Sequence, residues 1–316
     1  MTNKVSYPGL RCVLEYLEAN RRIYITARSP ALQRVEKSIP IHLKYLMISN
    51  NIDLNYIEMG VYSDTALYKI EFKVREKSFL RPYPMHLTCE EAAEEMHEYY
   101  FGGRLNIYTD NFWFFKREVE NFPKFNVTTN EMTVYNFLLN DILQYINPNS
   151  FPLKELTIDC IDDLNHPHIR SAKKLCVEIS DDQRNESSTR IHAIQNKNVE
   201  LEYDILEWTD AMGIIRYWME NGKETGTTFV CKGYHGDSND EIVTKLRNEF
   251  REILSELTGV NDQFPNGTPG FSVPLTTSSK ILVYGRRNPE RNNIEEIVLK
   301  VVSSQADGNT MEIKNQ

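Results

Sequence analysis

The sequence has few cysteines, no long apolar run and no excess of glycine or proline. Its five cysteines are widely spread among 316 residues, without a Cys-x-x-Cys pair, which argues against a disulfide framework. The most apolar stretch, Phe112–Phe115, is far shorter than the ~18 residues of a membrane helix. Fourteen glycines and 13 prolines exclude a collagen-like or low-complexity chain. These absences indicate a globular protein, with no membrane among its expected partners.

The N-terminal residues also lack the features of a secretory signal. The segment MTNKVSYPGLRCVLEYL has neither an apolar core nor a small-residue cleavage site. We therefore expect a cytoplasmic or nuclear protein. Its cysteines should then be reduced thiols packed as small apolar side chains.

Motifs for chemistry are missing as well. The sequence contains no G-x-S-x-G elbow, no G-x4-G-K-[ST] phosphate loop and no His-x3-His spacing. His166 and His168 flank a single proline, a spacing that favours a polar loop over a metal site. We predict no catalytic residue, no metal and no cofactor, and hence no enzyme. An enzyme of unknown class stays open as an alternative.

Charge is distributed unevenly along the chain. The net charge is −9, which argues against binding to nucleic acid. Residues 1–44, however, carry eight Lys and Arg side chains against three Glu. A basic head on an acidic body favours an acidic partner for the head, with an ordinary solvated surface as the alternative.

Apolar spacing and capping residues predict the helices. Leu10, Val13, Leu14 and Leu17 form one apolar stripe at helical spacing, just after Pro8. Ser29 and Pro30 predict the start of a second short helix. Further helices are expected after Thr88, over residues 130–145, over residues 210–220 and after the capping box Ser238–Glu241, with Ile242, Leu246, Phe250, Ile253 and Leu257 as the apolar face of the last.

Strand signals dominate the rest of the body. Tyr68–Val74 alternates apolar and charged residues, as a half-buried antiparallel strand does. Phe112–Phe115 is a strand buried on both faces or a binding patch. Short apolar pairs recur at intervals of 20, 31, 19 and 26 residues, at Leu105–Ile107, Phe125–Val127, Leu156–Ile158, Leu175–Val177 and Leu201–Tyr203. Their spacing leaves open an irregular leucine-rich-repeat-like array or an ordinary α/β layer. The predicted fold class is α+β or α/β.

The first 45 residues resemble an F-box. The segment YPGLRCVLEYLEANRRI, followed by SPALQRVEKSIPIHL, has the early proline and the V-L-x-x-L core of F-box segments. It departs from them at Asn20–Arg22, where they carry an acidic, leucine-containing turn. More closely, it resembles the N-terminus of a nematode-expanded family of uncharacterised proteins, some described as F-box or F-box-associated. A second similar element comprises Ile214–Trp218, Gly222 and Gly226–Phe229.

The resemblance implies a substrate receptor of a Skp–cullin–F-box-type ubiquitin ligase. Its partners would be a Skp-type adaptor and a substrate protein. The residues expected to contact the adaptor are Pro8, Leu10, Val13, Leu14, Leu17, Arg21, Arg22 and Ile23. Residues 1–45 would be the F-box-like segment, 46–303 a mixed α/β interaction domain and 304–316 a polar tail. The alternative is a binding or structural protein whose head packs on its own body and recruits no ligase.

Overall fold

The chain forms two compact units, Met1–Leu153 and Lys154–Gln316. The structure, a computed structural model, describes residues 7–26, 29–48, 51–54, 57–64, 67–74, 77–82, 89–104, 106–115, 124–135, 139–159, 161–162, 164–236, 238–257, 270–288 and 294–304. Among these residues, no helix combines the length and the apolar character needed to cross a membrane.

Three short helices open unit 1. They are α1 (Tyr7–Glu15), α2 (Ala19–Thr26) and α3 (Pro30–Lys37). Ser29 caps α3 as predicted, because its hydroxyl accepts a hydrogen bond from the Leu32 amide. Leu14 packs with Val35 and Ile39 in a small core, and Leu10 and Leu17 contact it from the side. These three helices, residues 7–37, are called the head below.

A mixed sheet follows the head in unit 1. Its strands are β1 (Ile41–Ile48), β2 (Asn51–Leu54), β3 (Ile57–Asp64), β4 (Leu67–Val74), β5 (Lys77–Pro82), β6 (Ile107–Phe114) and β7 (Val127–Val134), in the spatial order β5-β4-β3-β2-β1-β6-β7. Strands β1 to β5 form an antiparallel meander, whereas β1, β6 and β7 are parallel. The helices α4 (Cys89–Phe101) and α5 (Leu139–Leu143) and a 3₁₀ turn (Pro148–Ser150) complete the unit.

Two predictions for unit 1 need correction. The helix predicted over residues 130–145 is wrong, because residues 130–134 belong to β7 and α5 has only five residues. The run Val127–Val134 is rich in threonine and valine, which favour a strand paired with β6. The predicted boundary after residue 45 falls inside β1, which is hydrogen-bonded to strands on both sides, so the chain does not divide there. Thr88, the expected cap of α4, lies outside the described residues.

The parallel strands of unit 1 carry the core on one face. Phe112 and Phe114 are wholly buried there, together with Leu46 and Ile48. On the other face of β6, Trp113 is half-buried and its ring contacts Tyr45 edge-on, with centroids 5.6 Å apart. The aromatic run is therefore a strand, with one face fully buried and the other partly open.

Unit 2 alternates strands and helices before it ends in antiparallel strands. Its elements are β8 (Glu155–Ile158), α6 (Pro167–Ser171), β9 (Lys174–Ile179), α7 (Asp181–His192), β10 (Asn198–Leu206), α8 (Trp208–Asn221), β11 (Thr228–Gly236), α9 (Asn239–Glu249), β12 (Ser255–Glu256), β13 (Phe271–Pro274), β14 (Ser279–Asn288) and β15 (Ile294–Ser303). Strands β8 to β11 are parallel neighbours in chain order. Strand β15 then pairs antiparallel with β11, followed by β14, β13 and β12.

The predicted mixture of helices and strands is confirmed. In unit 2, strands and helices alternate along the chain from β8 to α9. The apolar pairs at Leu156, Leu175 and Leu201 lie in β8, β9 and β10. Each strand is joined to the next by one helix and lies beside it, an order that both a leucine-rich-repeat-like array and an ordinary α/β layer have. Helix α7 has no counterpart among the predictions, because Ile191 is its one aliphatic residue and gives no periodicity.

The end of α8 and the start of α9 lie at the kinds of residue that the sequence predicts. Gly222 follows α8 with φ of 78°, a left-handed conformation that glycine adopts without strain. Ser238 and Glu241 form the predicted capping box of α9. Helix α9 ends at Glu249, however, so Ile253 lies beyond it and is 42% exposed. The apolar face of α9 is therefore shorter than predicted.

Stability of unit 2 is expected to depend on pH through His192. This side chain lies against α8, since a Cβ on Gly213 would be 2.6 Å from His192 Cε1. Burial lowers the pKa of His192, although Asp210 opposes the shift. Below pH ~6.5 the unfolded chain takes up this proton more readily than the folded chain, so the free energy of unfolding should fall. Urea unfolding at pH 7.5 and 5.5, about one unit above and below the ordinary histidine pKa of ~6.5, tests this expectation. His192→Gln should reduce the fall in the free energy of unfolding between the two pH values. An unchanged fall would contradict the assignment to His192.

Candidate functional site

The structure divides the predicted adaptor-contacting residues between core and surface. Leu14 and Ile23 are 2% and 4% exposed, so both are buried. Leu10 and Leu17 are half-buried against the head core. Pro8, Val13 and Arg21 are exposed. Helix α1 therefore turns Leu14 toward α3, leaves Leu10 and Leu17 partly open, and places Val13 outside.

A different set of apolar side chains faces solvent on the head. Val13, Tyr16, Tyr24 and Ile25 are 56%, 93%, 59% and 52% exposed; we call these four residues the exposed head set. Sequence reasoning found Val13 and missed the other three. The signal was present in α2, where Tyr24 and Ile25 directly follow Ile23 and one narrow helix face cannot bury all three.

Arg22 is another correction, since it binds inside the protein. Its Nε lies 3.0 Å from Glu36 Oε1, and its Nη2 donates to the Pro40 carbonyl at 3.1 Å. Arg104 Nη2 donates to Glu36 Oε2 from the other side. All three side chains are at most 4% exposed. Burial lowers the pKa of Arg22, and its contact with Glu36 opposes the shift.

Further hydrogen bonds hold the head to the end of α4. Lys37 Nζ donates to the carbonyls of Gly102 at 2.8 Å and Glu98 at 3.3 Å. A lysine at this position also complements the negative end of the helix dipole. Arg104 Nε donates to the Tyr100 carbonyl at 2.6 Å. Helices α2 and α3 are thus fixed on the body of unit 1, and α1 packs on α3.

A pocket of about 440 Å³ lies on β1, β6 and β7, where the pairing of the three strands is interrupted at one level. The β1–β6 register pairs Leu43 with Thr109 and then Tyr45 with Asn111, so it skips Lys44 and Asp110. The β6–β7 register skips Asp110 and its neighbour on β7 at the same level. We call this interrupted level the pairing gap. The pocket is lined by His42, Leu43, Lys44, Tyr108, Thr109, Asp110, Thr128, Thr129 and Asn130.

Threonine hydroxyls and one serine form hydrogen bonds at the pairing gap. Thr109 Oγ1 donates to the Asn111 carbonyl at 2.8 Å, and Thr129 Oγ1 donates to the Glu131 carbonyl at 2.7 Å. The Thr129 amide donates to Ser150 Oγ at 3.0 Å. These bonds give three backbone groups beside the pairing gap a side-chain partner.

A chain of ion pairs crosses the parallel strands of unit 2. Glu200 Oε2 lies 2.8 Å from Lys174 Nζ, and its Oε1 contacts Lys232 Nζ. Lys232 also contacts Glu202, which accepts a hydrogen bond from Tyr234 Oη at 3.1 Å. Burial alone would raise the pKa of Glu200, but Lys174 and Lys232 outweigh it and lower that pKa to about 2. The carboxylate therefore stays ionised and serves to pair the strands.

The remaining candidate groups for chemistry are engaged in structure. Burial raises the pKa of Cys176 to about 12, so this thiol is protonated and a poor nucleophile. His166 caps α6, since its Nδ1 accepts a hydrogen bond from the His168 amide at 3.2 Å. Within the described ranges, no group of three or more His, Cys, Asp or Glu side chains is arranged to hold a metal ion.

Comparison with known proteins identifies one domain in this chain. A family model described as "Domain of unknown function (DUF3557)" matches residues 88–234. The matched region contains α4, β6 and β7 of unit 1 and most of the alternating strands and helices of unit 2. No curated protein and no solved structure matches the chain.

Proposed function

We propose that the protein recruits a protein partner through its head, as an F-box-like substrate receptor of a Skp–cullin–F-box-type ubiquitin ligase and a member of the nematode-expanded family that it resembles. One observation carries this proposal. The head buries Leu14 and Ile23 in its own packing and still exposes the four apolar side chains of the exposed head set. An apolar surface on helices that are already packed suits a helix-in-groove contact.

Charge supports an acidic partner for this surface. Arg21 is exposed on α2, 4.0 Å from Glu18, and Arg11 lies on the surface of α1, where it pairs with Glu15 at 2.8 Å. Basic side chains at the edge of an apolar contact speed association with an acidic partner and fix its orientation. In this proposal Pro8, Val13 and Arg21 contact the adaptor directly. Leu14, Arg22 and Ile23 act indirectly, because they hold α1 and α2 in place.

The body would hold the substrate without catalysing a reaction. Unit 2 exposes Tyr234 on β11, and tyrosine is enriched in protein interfaces. Its buried carboxylate Glu200 is paired with two lysines. These features support a non-enzymatic binding role for the body.

Co-purification of the full-length tagged protein with a Skp-type adaptor tests the proposal. We expect Val13→Asp and Ile25→Asp each to weaken adaptor binding at least about tenfold, since each buries a charge in an apolar contact. Ile253→Asp is the matched control, because Ile253 is a comparably exposed isoleucine outside the head. Wild-type protein that binds no adaptor, or head variants that bind like wild type, would contradict the proposal.

The second candidate is a binding or structural protein that recruits no ligase. It is favoured by the burial of Leu14, Arg22 and Ile23 within the chain. In that case the head would be a stabilising cap on unit 1. Wild-type protein with a protease-resistant head and no adaptor binding is the result expected from it.

A further inference from the structure

The pocket at the pairing gap of β1, β6 and β7 has the composition of a ligand site that the head does not use. We propose that it binds a neutral, hydroxyl-rich ring, that is, a ligand of the carbohydrate class. This inference does not depend on the proposed function, because the exposed head set lies within residues 13–25 and the pocket lies on strands. Either proposal can therefore fail while the other holds.

An aromatic platform forms one side of the pocket. The rings of His42 and Tyr108 stack nearly parallel, with centroids 4.9 Å apart and an interplanar angle of 8°. Each ring covers one face of the other, so a ligand can meet only the opposite faces and the edges, and Tyr108 is 39% exposed. The face of an aromatic ring is electron-rich and attracts the weakly positive C–H groups on the flat side of a sugar ring.

Polar side chains beside the aromatic platform can form hydrogen bonds with the hydroxyl groups of a sugar. Asn130 Nδ2 lies 3.4 Å from Asp110 Oδ1, so an amide and a carboxylate lie side by side at the pairing gap. A carboxylate accepts hydrogen bonds, whereas an amide both donates and accepts, and together they match the adjacent hydroxyls of a sugar. Thr128 adds a hydroxyl from β7 to the lining.

The opposite charges of two lining side chains disfavour an ionic ligand. Lys44 and Asp110 bring opposite charges to the same level of the sheet. A cationic ligand would meet the ammonium group, and an anionic ligand would meet the carboxylate, within the same small volume. A neutral polyol meets neither penalty and can use both groups as hydrogen-bond partners.

The size of the pocket also fits a small ligand. Its volume of about 440 Å³ lies in the lower part of the roughly 300–1,000 Å³ that small-molecule sites occupy. The site is built on paired strands, and Thr109 and Thr129 form hydrogen bonds with the backbone beside the pairing gap, so it is formed before a ligand arrives. Preformed sites lose less free energy to ordering when they bind.

Calorimetric titration of the full-length protein with single sugars tests the proposal. The probes are glucose, mannose, galactose, N-acetylglucosamine and their disaccharides, with arginine and inorganic phosphate as charged comparisons. We expect saturable binding of at least one sugar at millimolar or lower concentration. Tyr108→Ala and Asn130→Ala should each weaken it at least about tenfold, whereas Tyr108→Phe should stay within about threefold.

Ile205→Ala is the matched control, since Ile205 lies on a strand of unit 2 and is 37% exposed, close to the exposure of Tyr108. It should leave sugar binding unchanged. Circular dichroism and urea unfolding show whether each pocket variant is folded, and Tyr108→Phe keeps the test valid if Tyr108→Ala is not. Absence of binding to every sugar at about 20 mM would overturn the proposal. Tighter binding of arginine or phosphate, or sugar binding by folded Tyr108→Ala equal to wild type, would do so as well.

Discussion

Replacing Glu36 by glutamine is expected to destabilise the protein by about 3–5 kcal/mol, because two buried guanidinium groups lose their one shared counter-charge. Arg22 and Arg104 contact opposite oxygens of this carboxylate, and all three side chains are almost fully buried. Glutamine keeps the shape and one acceptor oxygen but removes the negative charge. The two cations would then repel each other in surroundings that screen charge poorly.

Urea unfolding at pH 7 measures this effect, with the denaturation midpoint as the readout. Glu15→Gln is the matched control, since Glu15 pairs with Arg11 at the surface and such pairs contribute about 0–1 kcal/mol. A cost for Glu36→Gln no larger than that of Glu15→Gln would contradict the role given to the buried triad. Replacing all three charged residues by apolar residues of similar volume should restore much of the loss.

The head contains one feature that its sequence predicts, the apolar face of α1, and one that it does not, the buried triad of Arg22, Glu36 and Arg104. The spacing of Leu10, Leu14 and Leu17 predicts a helix with one apolar face, and the structure places that face on Val35 and Ile39. Periodicity identifies a face but not the surface that covers it. Glu36 and Arg104 are 68 residues apart, so no local pattern connects them. The sequence alone therefore does not predict that Arg22 is buried whereas Arg21 is exposed.

Prediction succeeded in the body where a local signal was strong. Ser238 and Glu241 mark the start of α9, because a capping box needs no distant partner. It failed over residues 130–134, where strand pairing with β6 decides the structure. The pocket had no signal either, because its skipped positions on separate strands align only through sheet register.

Replacing Trp218 by alanine is expected to cost about 3–5 kcal/mol, since Trp218 is the largest fully buried side chain among the residues that the structure describes. The indole lies on the inner face of α8 and meets the Phe229 ring edge-on, with centroids 4.9 Å apart. Alanine would leave a cavity between a helix and a strand that cannot close without moving backbone. The loss should therefore exceed the transfer free energy of the removed atoms.

Urea unfolding followed by far-UV circular dichroism measures this cost without relying on tryptophan emission. Trp208→Ala is the matched control, because Trp208 is half-buried at the start of the same helix and its removal leaves no closed cavity. Trp218→Phe should cost less than Trp218→Ala, since it keeps a ring against Phe229 and removes an indole N–H that has no hydrogen-bond partner among the described residues. If Trp218→Ala cost no more than Trp208→Ala, the packing of α8 on its sheet could not be the main source of stability in this part of unit 2.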